Sequence, residues 1–124
     1  MSRQNGYTPD SRAMVPFTTV EEAVGHIHGE WMLSTYDDAA EYTFWPAGGQ
    51  LVVKMSNLPS DELADKLARR IRDHFEAKQT VGGNTYTKFP VALVRIDAVN
   101  DLVTVIADKR RIHETCPRSV LRPN

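Results

Sequence analysis

The sequence has little cysteine, no long apolar run and almost no net charge, and each shortage excludes a class of protein. Cys116 is the only cysteine among 124 residues, so no disulfide can form within the chain and a reducing compartment is expected. The best apolar stretch, Phe89 to Val94, stops at Arg95, well short of the ~18 residues that a membrane span needs. The first residues are polar and lack the apolar core of a signal peptide. We therefore expect a soluble cytoplasmic protein with no membrane partner.

The composition that is present is that of an ordinary globular domain. Hydrophobic residues make up 41% and charged residues 25% of the chain, so extensive disorder is not expected. The net charge is −1, but residues 1–62 carry 3 basic and 9 acidic side chains, whereas residues 63–124 carry 12 and 7. Such asymmetry can favour self-association. The charge asymmetry is explained as simply by two halves of the chain whose opposite charges neutralise one another within the fold.

The N-terminal part predicts an arm followed by a helix. Residues 1–16 have no hydrophobic period and are interpreted as a flexible arm, which leaves 17–124 as a single domain. Thr19 and Glu22 have the spacing of a capping box. An apolar stripe follows, and Gly29 is predicted to terminate the helix. The stripe consists of Val20, Ala23, Val24 and Ile27.

The next segment is rich in β-branched and aromatic residues separated by turn signals. We expect strands near Trp31–Tyr36, Tyr42–Trp45 and Leu51–Met55, which would form an antiparallel meander.

The clearest element is a helix over Asp61–Lys78 with Ser60 as its N-cap. One face repeats an apolar residue every four positions, and the opposite face is basic. The apolar row is Leu63, Leu67, Ile71 and Phe75. Two strands follow, Thr85–Ile96 and Leu102–Ala107, joined by a hairpin turn at residues 98–101. Pro90 marks an edge or a bulge of the longer strand, because proline cannot donate to a ladder.

Together these elements predict an α+β fold of two layers. A five-stranded antiparallel sheet would be packed by one long helix, in the order α-β-β-β-α-β-β plus a short C-terminal tail. This order resembles that of small bacterial secretion chaperones, which dimerise and hold segments of partner proteins. The resemblance lies in the order of elements alone and transfers no site residues. The basic helix face also departs from the acidic surface usual in such chaperones.

The strands carry more apolar surface than one helix can cover. Val52 and Val53 are adjacent, and the strand from Leu102 places apolar residues on both faces. The second face is expected to be covered by the first helix, by the N-terminal arm, or by another protein. The favoured hypothesis is a non-catalytic interaction module, either an adaptor, an inhibitor or a chaperone-like protein, that forms a homodimer or a heteromer. Its predicted anchors are the aromatic residues Trp31, Tyr36, Tyr42, Phe44 and Trp45.

An alternative hypothesis is a nucleic-acid accessory protein. Basic side chains on the second helix and in the tail would contact phosphates. These are Arg69, Arg70, Arg72, Arg110 and Arg111. Acidic residues interrupt the same helix face, however, and the pI is about 6.4, well below that of a typical nucleic-acid-binding domain.

A second alternative is a metal- or thiol-dependent enzyme. The weak ligand candidates are His26, His28, His113 and Cys116. Residues two apart on a helix point in different directions, so His26 and His28 would share a metal only if the helix had already ended. A thiolate at Cys116 beside basic residues is the other candidate. No catalytic residues are assigned and no cofactor is expected.

Overall fold

The computed structural model describes residues 14–36 and 49–115, which form an α+β fold as predicted. In chain order the helices and strands are β1 (Val15–Pro16), α1 (Val20–Tyr36), β2 (Gln50–Ser56), α2 (Glu62–Phe75), β3 (Lys78–Val81), β4 (Asn84–Thr87), β5 (Val91–Asp97) and β6 (Leu102–Ala107). A 3₁₀ segment at Lys109–Glu114 follows.

The main sheet has four strands in the order β1-β2-β6-β5, and β3 with β4 forms a separate hairpin. The predicted five-stranded antiparallel sheet is therefore wrong. β1 runs parallel to β2, with Val15 opposite Met55, while β2, β6 and β5 pair antiparallel. The predicted strand Tyr42–Trp45 lies outside the described residues.

Helix α1 is longer than the sequence predicts, and the strand expected at Trp31–Tyr36 is wrong. Its start agrees with the prediction: the Thr19 hydroxyl oxygen accepts the Glu22 N–H at 3.2 Å. Gly29 does not end the helix. Trp31 lies four residues after Ile27 and continues the same buried stripe, at 4% exposure. Burial of this side chain outweighs both the weak helix propensity of glycine and the β propensity of the segment.

Helix α2 lies where the sequence predicts it. The N-cap is Asp61 instead of Ser60, because its carboxylate accepts the Leu63 N–H at 3.0 Å. Leu67, Ile71 and Phe75 are buried, whereas Leu63 at the start of the row is exposed. The helix ends at Phe75, short of the predicted Lys78, which begins β3.

The single long strand predicted over Thr85–Ile96 is divided in two. Its first residues pair with β3 as a hairpin, in which Gly82 and Gly83 have φ of 62° and 86°. These positive values suit the tight turn between two strands. Pro90 then separates β4 from β5. β5 is an edge strand with a register shift between Val91 and Leu93, so the predicted edge or bulge lies just after Pro90 and not at Pro90 within one long strand.

Both helices pack on one face of the sheet, here called the inner face. Its residues alternate along β2 and β6 and join one core with the buried residues of α1 and α2. They include Leu51, Val53 and Met55 of β2 and Val103, Val105 and Ala107 of β6. Of the three alternatives for covering the second sheet face, the first helix is therefore excluded, because α1 shares the inner face with α2.

In the two described ranges, no helix is long and apolar enough to cross a membrane.

Candidate functional site

The opposite side of the sheet, called the outer face, is formed by the alternate residues of three strands. Cross-strand register groups them into rows of three. The rows are Gln50, Ile106 and Leu93; Val52, Thr104 and Arg95; and Lys54, Leu102 and Asp97. Residues that are cross-strand partners lie on the same face of the sheet, so the three side chains of each row are neighbours. The outer face is therefore a defined surface of mixed character.

An apolar stripe crosses the outer face diagonally. Leu93 on β5 lies directly beside Ile106 on β6, and Val52 on β2 is the diagonal neighbour of Ile106. Leu93 is 38% exposed, and Val52 and Ile106 are half-buried. Charged side chains stand at the other end of the face, where Lys54 and Asp97 flank Leu102. None of the described helices covers this stripe.

The backbone of the first residues of the edge strand β5 is bound by two side chains, Arg72 of α2 and Glu76, the residue that follows this helix. The Arg72 guanidinium donates to the Val91 carbonyl at 2.6 Å and to the Ala92 carbonyl at 3.4 Å. The Glu76 carboxylate accepts the Val91 N–H at 2.7 Å and the Arg111 guanidinium at 2.7 Å. These charged groups replace the strand partner that an edge lacks.

The same network continues into the 3₁₀ segment. Arg111 also donates to Glu114, whose carboxylate accepts the hydroxyl of the buried Thr87 at 3.2 Å. The hydrogen bond from Arg111, with a smaller contribution from Thr87, lowers the pKa of Glu114 to about 2. This cluster ties α2, β4 and the 3₁₀ segment together, and its role is structural.

A histidine pair joins the two helices. Nδ1 of His28 on α1 lies 2.9 Å from Nε2 of His74 on α2, and the two rings are nearly perpendicular, at 87°. Burial lowers the pKa of His74, and the charges of His28, Lys88 and Arg70 act in the same direction. His26 is not part of the pair, and burial lowers its pKa as well. The pair was not predicted from sequence, since its members are 46 residues apart.

An aromatic cluster lies beside the histidine pair. The Trp31 ring centroid is 5.5 Å from that of Phe75 and 5.8 Å from those of Phe89 and His28. Such distances are typical of favourable aromatic pairs. Trp31, which was predicted to bind a partner, is thus a core residue whose ring packs against other aromatic rings of the same chain.

The side chains of the other four predicted anchors lie outside the described part of the chain. Tyr36 is the last residue of α1, and its side chain lies outside the described part. Tyr42, Phe44 and Trp45 fall in residues 37–48, which are also outside it.

Three of the five predicted nucleic-acid contacts, Arg70, Arg72 and Arg111, bind acceptors within the chain. Arg70 makes two hydrogen bonds of 2.9 Å to the Glu21 carboxylate, and the hydrogen bond lowers the pKa of Glu21. Arg72 and Arg111 make the internal bonds described above. Arg110 lies 3.4 Å from Asp108 but is largely exposed. Arg69 is exposed on α2.

Of the predicted metal ligands, His26, His28 and His113 lie in the described residues. In residues 14–36 and 49–115, no three histidine, cysteine, aspartate or glutamate side chains lie close enough to hold a metal ion together. His113 is exposed, and Cys116 lies outside the described residues.

An open groove of about 580 Å³ lies between the start of α2 and the β5–β6 hairpin. Two of its three acidic residues have structural roles: Asp61 caps α2, and Asp97 accepts the backbone N–H groups of Val99 and Asn100. We assign it no ligand.

No protein-family model matches the chain, and comparisons with curated proteins and with solved structures gave no significant match.

Proposed function

We propose that this protein is a small non-catalytic interaction module of the cytoplasm that forms a homodimer through the outer face. One observation carries the proposal: both helices pack on the inner face, while the opposite side of the sheet bears the apolar stripe Leu93, Ile106 and Val52. An antiparallel sheet with one face in water usually alternates apolar and polar residues cleanly. A stripe of this kind favours association.

The charges around the stripe favour a second copy as the partner. Lys54 and Arg95 are basic and Asp97 is acidic, and all three lie on the same surface. Two copies related by a two-fold axis present the same patch to each other, so basic groups of one can face the acidic group of the other. A different protein with an apolar face is the alternative occupant.

The test compares two leucines of nearly equal exposure on different surfaces. Leu93 on the outer face is 38% exposed and Leu63 on α2 is 39% exposed. We expect wild-type protein to be dimeric at tens of micromolar by light scattering. Leu93→Glu should raise the dissociation constant at least about tenfold, because a charge replaces an apolar contact in each copy. Leu63→Glu should leave it unchanged.

Two outcomes contradict the proposal. One is a wild-type protein that is monomeric at tens of micromolar by light scattering; recovery of a different protein from its native cell then favours the alternative occupant. The other is a dimer that Leu63→Glu weakens as much as Leu93→Glu does. Circular dichroism of both variants checks that each is folded.

The nucleic-acid hypothesis stays a prediction, carried by Arg69 and Arg110. Arg70, Arg72 and Arg111 bind acceptors within the chain. No feature of the described residues favours an enzymatic function over binding.

A further inference from the structure

The two facing nitrogens of the histidine pair His28–His74 are 2.9 Å apart, a separation that suits metal binding as well as a hydrogen bond. We propose that these two residues bind one divalent transition-metal ion, with water or another ligand in its remaining positions. Ions of borderline softness such as Zn²⁺, Ni²⁺ and Cu²⁺ are the class that imidazole nitrogen prefers. This inference is independent of the function proposed for the outer face.

The nitrogen separation fits two neighbouring positions on a metal ion. Bonds from histidine nitrogen to these ions are about 2.0–2.1 Å long. Two nitrogens 2.9 Å apart therefore subtend roughly 90° at an ion placed at that distance from both. That angle is the one between adjacent ligands in square-planar or octahedral coordination. A tetrahedral ion such as Zn²⁺ needs the nitrogens only a few tenths of an ångström further apart.

Both rings are held by their surroundings. The His28 ring lies 5.8 Å from the ring of buried Trp31, and the His74 ring lies 5.5 Å from the ring of buried Phe75. On the same pair of helices, Arg70 and Glu21 form a second bridge, four residues before His74 and seven before His28. The two nitrogens are thus fixed by two packed helices, which lowers the entropic cost of bringing ligands together.

Metal binding requires a free nitrogen on each ring. A histidine must be unprotonated at the ligating nitrogen. In the metal-free pair, the N–H of one ring donates a hydrogen bond to the nitrogen of the other ring. On metal binding that proton moves to the far nitrogen of the same ring. Lys88 and Arg70 oppose a bound cation and Glu21 favours it.

The experiment uses the full chain with ZnCl₂ or NiCl₂ at pH 7.5. We expect the wild-type Tm to rise by about 5 °C when the metal concentration is ten times its Kd. His28→Asn and His74→Asn should each abolish the rise. His26→Asn is the matched control, because His26 is a partly buried histidine on the same helix outside the pair, and this variant should keep the rise.

A second measurement remains informative if a variant of the pair does not fold. Imidazole nitrogen spectra of the wild-type protein should show the His28 and His74 resonances changing together as Zn²⁺ is added, with His113 unchanged. The proposal is overturned if neither resonance changes, if His113 changes instead, or if Cys116→Ser abolishes the thermal shift.

Discussion

Charged residues of α2, together with Glu76 just after it, connect this helix to the sheet and to α1. Arg72 and Glu76 bind backbone groups of β5, and Arg70 binds Glu21 of the neighbouring helix. In the sequence, this basic face suggested a surface that contacts phosphates. Neither partner could be found from the sequence, because Val91 and Glu21 are distant in the chain. Hydrogen bonds to charged groups typically contribute about 1.5–3 kcal/mol when buried, and less where water screens them.

Histidine protonation is predicted to destabilise the protein below neutral pH. Burial and nearby positive charges lower the pKa of His74, and burial lowers that of His26. The unfolded chain, whose histidines titrate near 6.5, therefore binds protons more readily than the folded chain. Stability is complete above that pH and falls as the pH decreases below it. Urea unfolding at pH 7.5 and pH 5.5 should show the loss.

The His74→Asn variant identifies the source of this loss. Its free energy of unfolding should decrease less than that of wild type between the two pH values, by a few tenths of a kcal/mol to about 1 kcal/mol, since solvent screens a partly exposed ring. His113→Asn, which changes an exposed histidine, should behave as wild type. Glu114 does not interfere, because its lowered pKa affects stability only below about 4.5. Equal pH dependence in wild type and His74→Asn contradicts the prediction.

Among the helices and strands, periodicity predicted best where one face alone is buried. α2, β2 and β6 lie close to their predicted positions because Leu67, Ile71 and Phe75 repeat every four residues and the strands have clear turns at their ends. The prediction was wrong where two local signals, a glycine and a run of residues with β propensity, conflicted with tertiary packing. The segment after Gly29 has strand-like composition, but Trp31 extends the buried stripe of α1. Local propensity carries no information about that contact.

Of the candidate sites, one could be predicted from the sequence and the others could not. The outer face could be anticipated, since adjacent Val52 and Val53 must point to opposite sides of a strand. The aromatic anchor Trp31 was misplaced because a strand was assumed for a helix. The pair His28–His74 could not be anticipated at all, because it depends on how α1 crosses α2.

A glycine substitution tests the length of α1. Gly29 lies within the helix, and a Cβ added there meets no atom within 4 Å. Gly29→Ala should therefore stabilise the protein by roughly 0.5–1 kcal/mol, since alanine has the higher helix propensity. If Gly29 ended the helix in a left-handed conformation, the same change would be destabilising.

The matched control is Gly83→Ala in the β3–β4 turn. Gly83 also has open space around a Cβ, but its φ is +86°, so alanine there should be destabilising by about 1 kcal/mol. Urea unfolding measures both variants. A loss of stability in Gly29→Ala would contradict the continuous helix.

At the level of the whole molecule, the aromatic cluster joins both helices to the segment before β5. Trp31, Phe75 and Phe89 are buried at 4%, 2% and 0% exposure, and each contacts the other two. A domain of this size has a total stability of about 5–15 kcal/mol. Loss of one large ring from the cluster therefore affects the entire fold.

Trp31→Ala is predicted to lower the free energy of unfolding by about 3–5 kcal/mol, because it removes a buried ring and leaves a cavity. Trp31→Phe should lower it far less, since most of the aromatic contact is kept. Leu33→Ala is the control on the same helix, where the side chain is 56% exposed, and it should change stability by about 0.5 kcal/mol or less. Similar effects of Trp31→Ala and Leu33→Ala would show that Trp31 is not in the core.

The closure of β5 by Arg72 and Glu76 also limits how copies of this chain can assemble. An open edge strand is a template on which further chains stack into ribbons without end. Here the backbone of Val91 is already bound on both its N–H and its carbonyl, so an incoming strand would first have to displace two charged groups. Concentrated solutions should therefore resist fibre growth from this end of the strand, whether or not two copies associate through the outer face.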